Sequence, residues 1–452
     1  MKKTFLLPLV LLLAIGSLCA QSDEDLFGSD DDLFGGDDFL IEEVEDVSAK
    51  TDLSKGILFD NGSVKIGGSL SASATLSTTL YDKNNTDFLE NLKASTLTPS
   101  LGSSITIDAR PNQDLRLFSR FNIDYPFTDK VVKVKEMFTD FNAGDYVSFR
   151  FGLHTVTWGT GLFYSPVSDM INTSSIDPEH RDEQVDGSLN LRTLINIPGT
   201  MNNLWVYVIP DSGTWKARDT ALALKGEFVA GGWELGVGTF YKYNTAPRVM
   251  FTASGSIDKW ALFGEAVYQY GSDREWIEKP SFDDKKSVFR ATAGFMRSWT
   301  DPNISLLAQY YFDGNDFDAS SVEDLMFYTS DKSLVPMWLN EYRTKGHNIA
   351  LSLGFSELFG NKDLSFSLLG LANLTKPKLV SSDSPYLAIP AVSDAIENIK
   401  NFCPRGIFSA MFNYSFSKNA SMGFGPYITV VDWKKAPVVA AKLNFSLGGG
   451  KY

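Results

Sequence analysis

The sequence contains few cysteines, few histidines and, beyond residues 1–20, no long apolar segment. Only Cys19 and Cys403 occur among 452 residues, so no disulfide scaffold is predicted. No apolar run after residue 20 approaches the ~18 residues that a membrane-spanning helix needs. Hydrophobic residues nevertheless make up 43% of the chain and aromatic residues 13%, which is too apolar for a disordered protein.

Catalytic motifs are also lacking. The three histidines, His154, His180 and His347, belong to no His-Glu-x-x-His helix, and the chain has no Gly-x-Ser-x-Gly elbow or glycine-rich phosphate loop. A His–Ser or His–Asp pair assembled from distant loops remains an alternative. No basic stripe that would attract nucleic acid is present. We therefore predict neither an enzyme nor a cofactor, metal or nucleic-acid site.

The first residues have the features of a secretory signal peptide. Lys2 and Lys3 precede an apolar run, and small residues end at Ala20, so residues 1–20 are predicted to be cleaved. Leu18 stands where a lipidated Cys19 would need a small residue, which disfavours a lipoprotein. An exported chain without a spanning helix is either soluble or a β-barrel.

An acidic segment follows the signal peptide. Residues 21–50 carry most of the net charge of −14, and the unit Asp-Leu-Phe-Gly occurs at residues 25–28 and 32–35. Clustered acids repel one another and cannot form a core, so residues 21–60 are expected to be a disordered periplasmic tail. The alternative is that the Leu-Phe pairs dock on a periplasmic partner or inside a pore.

Two long stretches with a period of two follow the tail. In residues 64–80 the even positions are mostly apolar and the odd positions are Lys, Gly, Ser and Thr, and residues 95–110 alternate in the same way. This is the period of a β-strand, but over about three times the usual length of ~5–6 residues. Long strands with one apolar face are typical of membrane barrels, which contact lipid outside and water inside.

The rest of the chain continues the pattern. Eighteen strands are predicted, at residues 64–80, 94–110, 115–126, 132–141, 146–158, 188–197, 204–209, 220–229, 233–243, 248–257, 260–270, 287–297, 304–313, 347–356, 364–374, 407–416, 421–431 and 437–447. Short Gly-, Asn-, Asp- and Pro-rich turns alternate with longer loops. The sequence thus predicts an all-β fold, a single transmembrane antiparallel barrel of about 18 (16–18) strands over residues 61–452, with short periplasmic turns and long extracellular loops.

Aromatic residues support this prediction. On the apolar face Trp233, Trp260 and Trp299 lie beside short turns, while Tyr125, Tyr241, Tyr270 and Phe312 lie toward the long loops. Two aromatic belts are expected at the two lipid–water boundaries. The rival fold, a soluble sandwich or β-solenoid, would bury its apolar faces on each other and would not predict alternating turns and loops.

The face opposite the apolar one would line the pore. The predicted lining and constriction residues are Arg110, Arg116, Arg120, Asp124, Glu136, Arg150, His154, Trp158, Arg192, Lys225, Glu227, Arg248, Glu265, Arg290 and Gln309. Charges concentrate on one side of this interior, and small neutral residues dominate the other. Such a wall would select polar solutes, while the same Arg–Glu pairs would also cross-link neighbouring strands.

One hairpin resembles a known family. Lys135-Glu136, the segment Phe149 to His154, Trp158-Gly159, Ser165-Pro166-Val167 and Asp177-Pro178 are similar to a hairpin and loop of Gram-negative outer-membrane porin-like proteins. Phe263 to Ala266 and Gln309 to Tyr311 look like further fragments of this family's pattern. The chain departs from the pattern at Leu153 and His154, where the family tends to have Arg and Gln. The resemblance implies passive or selective diffusion through a barrel in the outer membrane.

The segment after this hairpin, Gly159 to Gly187, is predicted to fold inward and narrow the pore. A solvated outer loop is the alternative for the same residues. The expected function is an outer-membrane porin for small polar solutes, inserted into lipid by the barrel assembly machinery. A surface adhesin or receptor that uses the long loops 315–346 and 376–405 is the alternative function.

Overall fold

A computed structural model of the protein describes residues 57–60, 63–83, 87–127, 130–181, 185–319, 321, 335–375, 379, 393–394, 396–397, 399–400 and 403–451. The predicted signal peptide, residues 21–56 of the predicted tail and parts of the two long loops lie outside the described residues. None of the helices in the described ranges is long and apolar enough to cross a membrane.

The described residues form one antiparallel β-sheet that closes on itself. Its strands are β1 Ile57–Asp60, β2 Val64–Tyr81, β3 Thr96–Asn112, β4 Leu115–Tyr125, β5 Lys133–Asn142, β6 Val147–His154, β7 Ser188–Asn196, β8 Asn203–Ile209, β9 Ala221–Ala230, β10 Trp233–Tyr241, β11 Arg248–Ile257, β12 Trp260–Tyr270, β13 Ser287–Thr300, β14 Asn303–Asp313, β15 Gly346–Phe355, β16 Leu364–Asn373, β17 Gly406–Ser417, β18 Ala420–Val430 and β19 Val438–Lys451. Among the described residues, the α-helices α1 Phe88–Lys93, α2 Asp273–Glu278 and α3 Val335–Thr344 lie between strands.

Consecutive strands pair from β2 to β19, and β19 pairs back onto β2 from Val439–Tyr81 to Lys451–Ser69. The result is a closed barrel of 18 antiparallel strands. Closure leaves no unpaired edge, as a membrane barrel requires. The predicted fold class is confirmed.

The short strand β1 pairs with the beginning of β2, on the same edge of β2 that β19 uses further along. The sequence analysis places Ile57–Asp60 in the disordered tail, whereas the structure gives these four residues a strand. The difference arises because the apolar pattern of four residues is too short to stand out beside the acidic tail.

Connections alternate as predicted. After odd-numbered strands the chain turns tightly, for example through Gly231 and Gly232 between β9 and β10, and after even-numbered strands it forms longer loops. These two glycines have φ of 60° and 81°. The tight two-residue hairpin turn needs this left-handed conformation at both central positions, and glycine adopts it without strain.

The two faces of the wall differ in the way that a membrane barrel requires. Along β11, Arg248, Met250 and Thr252 point inward and are buried, whereas the alternate residues Val249 and Phe251 are 50% and 44% exposed on the outside. Large apolar side chains are exposed around the whole circumference, from Leu97 on β3 to Phe445 on β19. A water-soluble protein does not leave a continuous apolar surface of this kind in contact with water.

One predicted strand is too long. The sequence predicts a strand over 146–158, but β6 ends at His154, and the chain then turns into the barrel interior. Trp158 is therefore a residue of the following loop and not of the wall. The pattern beyond His154 continues to alternate in hydropathy, but these apolar side chains pack on the inner wall instead of facing outward.

Candidate functional site

A chain of ion pairs runs along the inner face of β3 to β6. Asp108 contacts Arg110 at 3.3 Å and Arg116 at 3.0 Å, Arg116 approaches Asp140 at 3.9 Å, and Asp140 contacts Arg150 at 2.6 Å. These side chains come from successive strands because every second residue faces inward. We call this set the ladder.

The pair Arg120–Glu136, at 3.5 Å, extends the ladder toward the long loops. The ladder brings together the predicted residues Arg110, Arg116, Arg120, Glu136 and Arg150. Asp124, also predicted, lies further along β4, exposed and without an ion pair among the described residues.

Two phenylalanines support the ladder. Phe118 and Phe138 stack with ring centroids 5.1 Å apart, and Arg150 lies 4.0 Å above the Phe138 ring. Arg116 and Arg120 lie 5.1 and 5.6 Å from the Phe118 ring. Guanidinium groups over aromatic faces are held in place while they keep hydrogen-bond donors free. The sequence analysis missed both rings, although Phe118 lies between Arg116 and Arg120 at the same strand parity.

The described residues of the loop between β6 and β7, 155–181 and 185–187, lie inside the barrel. Lys225 on β9 donates a hydrogen bond of 2.8 Å to the Trp158 carbonyl. Tyr427 on β18 donates one of 2.7 Å to the Glu179 carboxylate. Strands β9 and β18 are half the sheet apart, so the described part of this loop crosses the interior. The inward fold predicted for it is thus confirmed; Asp182 and Glu183 lie outside the described residues.

Glu265 is the main anchor of this loop. Its carboxylate accepts hydrogen bonds from the backbone N–H groups of Thr160, Gly161 and Val167 at 2.6, 2.5 and 3.0 Å. The Ser165 hydroxyl donates to the same carboxylate at 3.0 Å. A carboxylate with this many donors fixes the backbone of a whole turn, since hydrogen bonds to a charged acceptor are about twice as strong as neutral ones.

Gln309 is a second anchor. Its side-chain oxygen accepts from the backbone N–H groups of Leu162 and Phe163 at 3.1 and 2.8 Å, and its amide nitrogen donates to the Tyr164 carbonyl at 2.7 Å. Both sides of the amide are used, so one side chain binds the backbone of three consecutive loop residues. Glu265 and Gln309, predicted as pore-lining residues, therefore hold the loop.

Apolar side chains of the loop pack on the inner wall in two clusters. In the first, Trp158 meets Tyr207 edge to face at 4.9 Å, and Val167 and Met170 pack on Phe240 and Met250. In the second, Phe163 packs on inward-facing side chains of β14 to β17: Leu307, Ala350, Leu369, Leu371 and Ile407.

These clusters correct the expectation of a uniformly wet interior. Val267, Leu307 and Leu371 face inward by strand parity, and they are buried in clusters with apolar side chains of the loop. Their position was missed because the sequence analysis placed apolar side chains only on the lipid side.

Most other predicted residues contact a specific neighbour. Lys225 pairs with Glu227 at 2.7 Å, and the Trp205 indole donates to Glu227 at 2.6 Å. The Arg192 guanidinium lies 5.4 Å from the Trp205 ring. These four residues, from β7, β8 and β9, form one charged and aromatic group on the inner wall.

Two arginines form ion pairs at the end of the barrel that carries the long loops. Arg248 pairs with Asp273, in the first turn of α2, at 2.5 Å. Arg290 pairs with Asp313 at 2.9 Å and donates to the Gln269 side chain at 2.9 Å. Both arginines were predicted to line the pore. In the structure Arg248 pairs with a residue of α2, and Arg290 pairs with the last residue of β14.

His154 occupies a closed position. It is 1% exposed, it meets Phe138 edge to face at 5.8 Å, and neither of its ring nitrogens has a hydrogen-bond partner among the described residues. The predicted site residue is thus part of the packed wall behind the loop.

The inward loop carries titratable groups whose pKa values are shifted. Burial, and secondarily the neighbouring Glu265 carboxylate, raises the pKa of Asp169 to about 7. Burial raises the pKa of Glu179, although Tyr427 donates to it. For Asp177 burial is outweighed by the hydrogen bond from His180 and the charge of Arg343, so its pKa is lowered. The acids of this enclosed loop thus have pKa values that are shifted in opposite directions.

The described residues contain no group of three His, Cys, Asp or Glu side chains placed to hold a metal ion. We take the candidate functional site to be the inner wall of β3 to β6 that carries the ladder, together with the inward loop. It presents guanidinium and carboxylate groups over aromatic rings, which suits reversible contacts with polar solutes.

No family model matches the sequence, and no curated protein matches it. Among solved structures, the fold is similar to outer-membrane porins of Pseudomonas aeruginosa. OccK9 (OpdG) is 9% identical with a TM-score of 0.48, over 85% of this chain and 98% of that one. OccK2 (OpdF) in complex with glucuronate is 12% identical with a TM-score of 0.46, over 87% and 99%. OpdK with vanillate is 7% identical with a TM-score of 0.47, over 86% and 99%.

Proposed function

We propose that this protein is a channel of the bacterial outer membrane through which small polar solutes diffuse. The observation that carries the proposal is the distribution of side chains in the closed barrel: apolar side chains are exposed on the outside, and ion pairs line the inside. This is the reverse of a water-soluble protein. Barrels of ~16–18 strands are wide enough to leave space for water and solute beyond their side chains.

The inward loop sets the width of this channel. It occupies part of the interior and is held by Glu265 and Gln309. The free passage would then run along the ladder, where Arg110 and Arg120 are the most exposed arginines, at 41% and 36%. We propose that Asp124, Arg120 and Glu136 contact passing solutes, and that Lys225, Glu265 and Gln309 act through the position of the loop.

The chain organisation supports the same location. Residues 1–20 would be a cleaved signal peptide, residues 21–60 a periplasmic tail, and residues 61–452 the barrel. We assign the short turns to the periplasm and the long loops to the outside, as in other outer-membrane barrels. Insertion by the barrel assembly machinery and a periplasmic partner for the Leu-Phe pairs of the tail belong to this proposal, as does membership of the porin-like family that the Lys135 to Gly161 hairpin resembles.

Liposome swelling tests the proposal. The purified, refolded full chain is reconstituted, and swelling rates are measured with sugars, amino acids and anions of graded size, with glucuronate and vanillate among the anions. A channel gives swelling that falls with solute size. Wild-type liposomes that do not swell, together with zero conductance in planar bilayers, would refute the channel and support the adhesin or receptor alternative.

A further inference from the structure

Arg297, which has no charged partner among the residues that the structure describes, lies on the outer surface of the barrel. Residues of β13 alternate between a buried inner set, which includes Val288 and Thr292, and an outer set that includes the exposed Phe289 and Phe295. Arg297 belongs to the outer set and lies three residues before the end of the strand at Thr300. It therefore faces outward, close to the short turns.

Two tryptophans hold the guanidinium. Arg297 lies 4.9 Å from the Trp260 ring and 4.9 Å from the Trp299 ring. The two indoles meet edge to face at 5.9 Å, and Phe295 packs against Trp260 at 5.4 Å. The side chain is thus oriented by aromatic contacts, and its two Nη groups, unlike the enclosed Nε, stay available to a ligand. We call Arg297, Trp260 and Trp299 the outer clamp.

No acidic side chain of the described residues pairs with Arg297. Within the described residues Arg297 has neither an ion pair nor a hydrogen bond, and its enclosed Nε atom is among the buried polar atoms without a partner. The turn acids Asp258 and Asp301 form no salt bridge with it. Arginine stays charged at any physiological pH, so an arginine on the lipid side of a barrel requires a counter-charge.

The surroundings indicate which anion fits. Leu306 lies directly across from Arg297 on β14. Ile257, 58% exposed, lies across from Trp260 at the end of β11, one strand beyond β12. Such side chains would contact acyl chains, whereas a soluble anion gains nothing from them. The guanidinium offers parallel N–H donors that match two phosphate oxygens, and the tryptophan indoles are typical of the lipid–water boundary.

We propose that the outer clamp is a binding site for the phosphate of a phospholipid in the membrane leaflet that meets the short turns. The proposal rests on the membrane location proposed above. Arg297 binds the phosphate, Trp260 and Trp299 hold the guanidinium at the height of the headgroup, and Leu306 and Ile257 contact the lipid chains. The barrel would carry at least one ordered lipid at a defined place on its circumference.

Native mass spectrometry of the refolded full-length barrel in detergent tests this site. The protein is titrated with phosphatidylglycerol, with phosphatidylethanolamine and with diacylglycerol, which lacks the phosphate. We expect a saturable phospholipid adduct and no equivalent diacylglycerol adduct. Arg297→Gln should weaken the phospholipid affinity about tenfold, since two charge-assisted hydrogen bonds are lost. Arg297→Lys, which keeps the charge but not the paired donors, should give a smaller loss.

Lys362→Gln is the matched control, because Lys362 is an exposed cation in a short turn at the same end of the barrel, with no aromatic clamp. Lipid adducts that are equal in Arg297→Gln, Lys362→Gln and wild type would overturn the site. If millimolar inorganic phosphate displaces the lipid, the ligand of the outer clamp is a soluble anion and the proposal of a phospholipid site is wrong. Liposome swelling by Arg297→Gln should equal that of wild type, so a failed channel and a failed lipid site give different results.

Discussion

The carboxylate of Glu265 on β12 accepts a hydrogen bond of 2.6 Å from the backbone N–H of Thr160, a residue 105 positions earlier in the chain. The same carboxylate also accepts hydrogen bonds from the backbone N–H groups of Gly161 and Val167 and from the Ser165 hydroxyl. This wall residue, together with Gln309, therefore helps to fix where the loop after β6 lies, and with it how much of the barrel interior stays open.

The first prediction concerns this anchor. Glu265→Gln replaces one acceptor oxygen by an NH2 group and leaves at least one buried N–H without a partner, at a cost of about 1–3 kcal/mol. We expect the loop to detach more often, which would raise single-channel conductance and current noise in planar bilayers. Glu234→Gln, an inward carboxylate of β10 with no hydrogen bond to the loop, is the control. Equal conductance and current noise for Glu265→Gln, Glu234→Gln and wild type would contradict the anchoring role of Glu265.

The second prediction concerns the ladder. Arg120 is partly exposed to the interior and pairs with Glu136 at 3.5 Å. A unit charge about 7 Å from a passing ion in water contributes about 0.6 kcal/mol, so Arg120→Gln should shift the permeability ratio two- to threefold toward cations. Glu136→Gln should shift the ratio toward anions. Reversal potentials in a salt gradient measure both, and shifts of the same sign would contradict the proposed solute path.

The third prediction concerns the outer face. Leu443 on β19 points outward, and the next residue, Asn444, points inward, where Thr75 donates a hydrogen bond to it. Leu443→Arg should lower the free energy of unfolding by about 2–4 kcal/mol in lipid vesicles, because a charge near the bilayer midplane is unfavourable. Asn444→Arg faces the interior and should cost less. Denaturant unfolding in vesicles measures both free energies of unfolding. A larger loss for Asn444→Arg than for Leu443→Arg would contradict the assignment of the Leu443 side of β19 to the lipid.

The fourth prediction concerns pH. Burial raises the pKa of Asp169 to about 7, against about 4 for an unfolded chain, and Glu265, Arg290 and Arg343 are the charged groups around it. The docked loop holds the proton more tightly than the undocked loop. Docking is therefore strongest below about pH 4 and weakens as pH rises to about 7. We expect more frequent current fluctuations at higher pH in wild type.

Asp169→Asn stays neutral throughout this pH range. It should therefore give similar fluctuations at low and high pH in the same bilayer recordings. A variant that keeps the full pH response of wild type would show that another group controls the loop.

The fold was predictable because strand formation depends on local alternation. Strand β11, Arg248–Ile257, and strand β12, Trp260–Tyr270, have the predicted bounds, and the outward positions of Trp260 and Trp299 follow from the same parity. The end of β6 was not predictable, since the alternation continues past His154 while the chain leaves the wall. The short strand Ile57–Asp60 was also missed, because its pairing with β2 depends on the rest of the sheet.

The sequence by itself determined the number of barrel strands as about 16–18, the alternation of turns and loops, and the alternation of inward and outward positions along each strand, since these depend on neighbours in the chain. Only the tertiary structure decided which inward residues line an open path and which hold the loop. Gln309 meets Leu162 across 147 residues, and Tyr427 meets Glu179 across 248. Partners so distant in sequence are brought together by closure of the barrel, and no local pattern records which strand will lie opposite the loop.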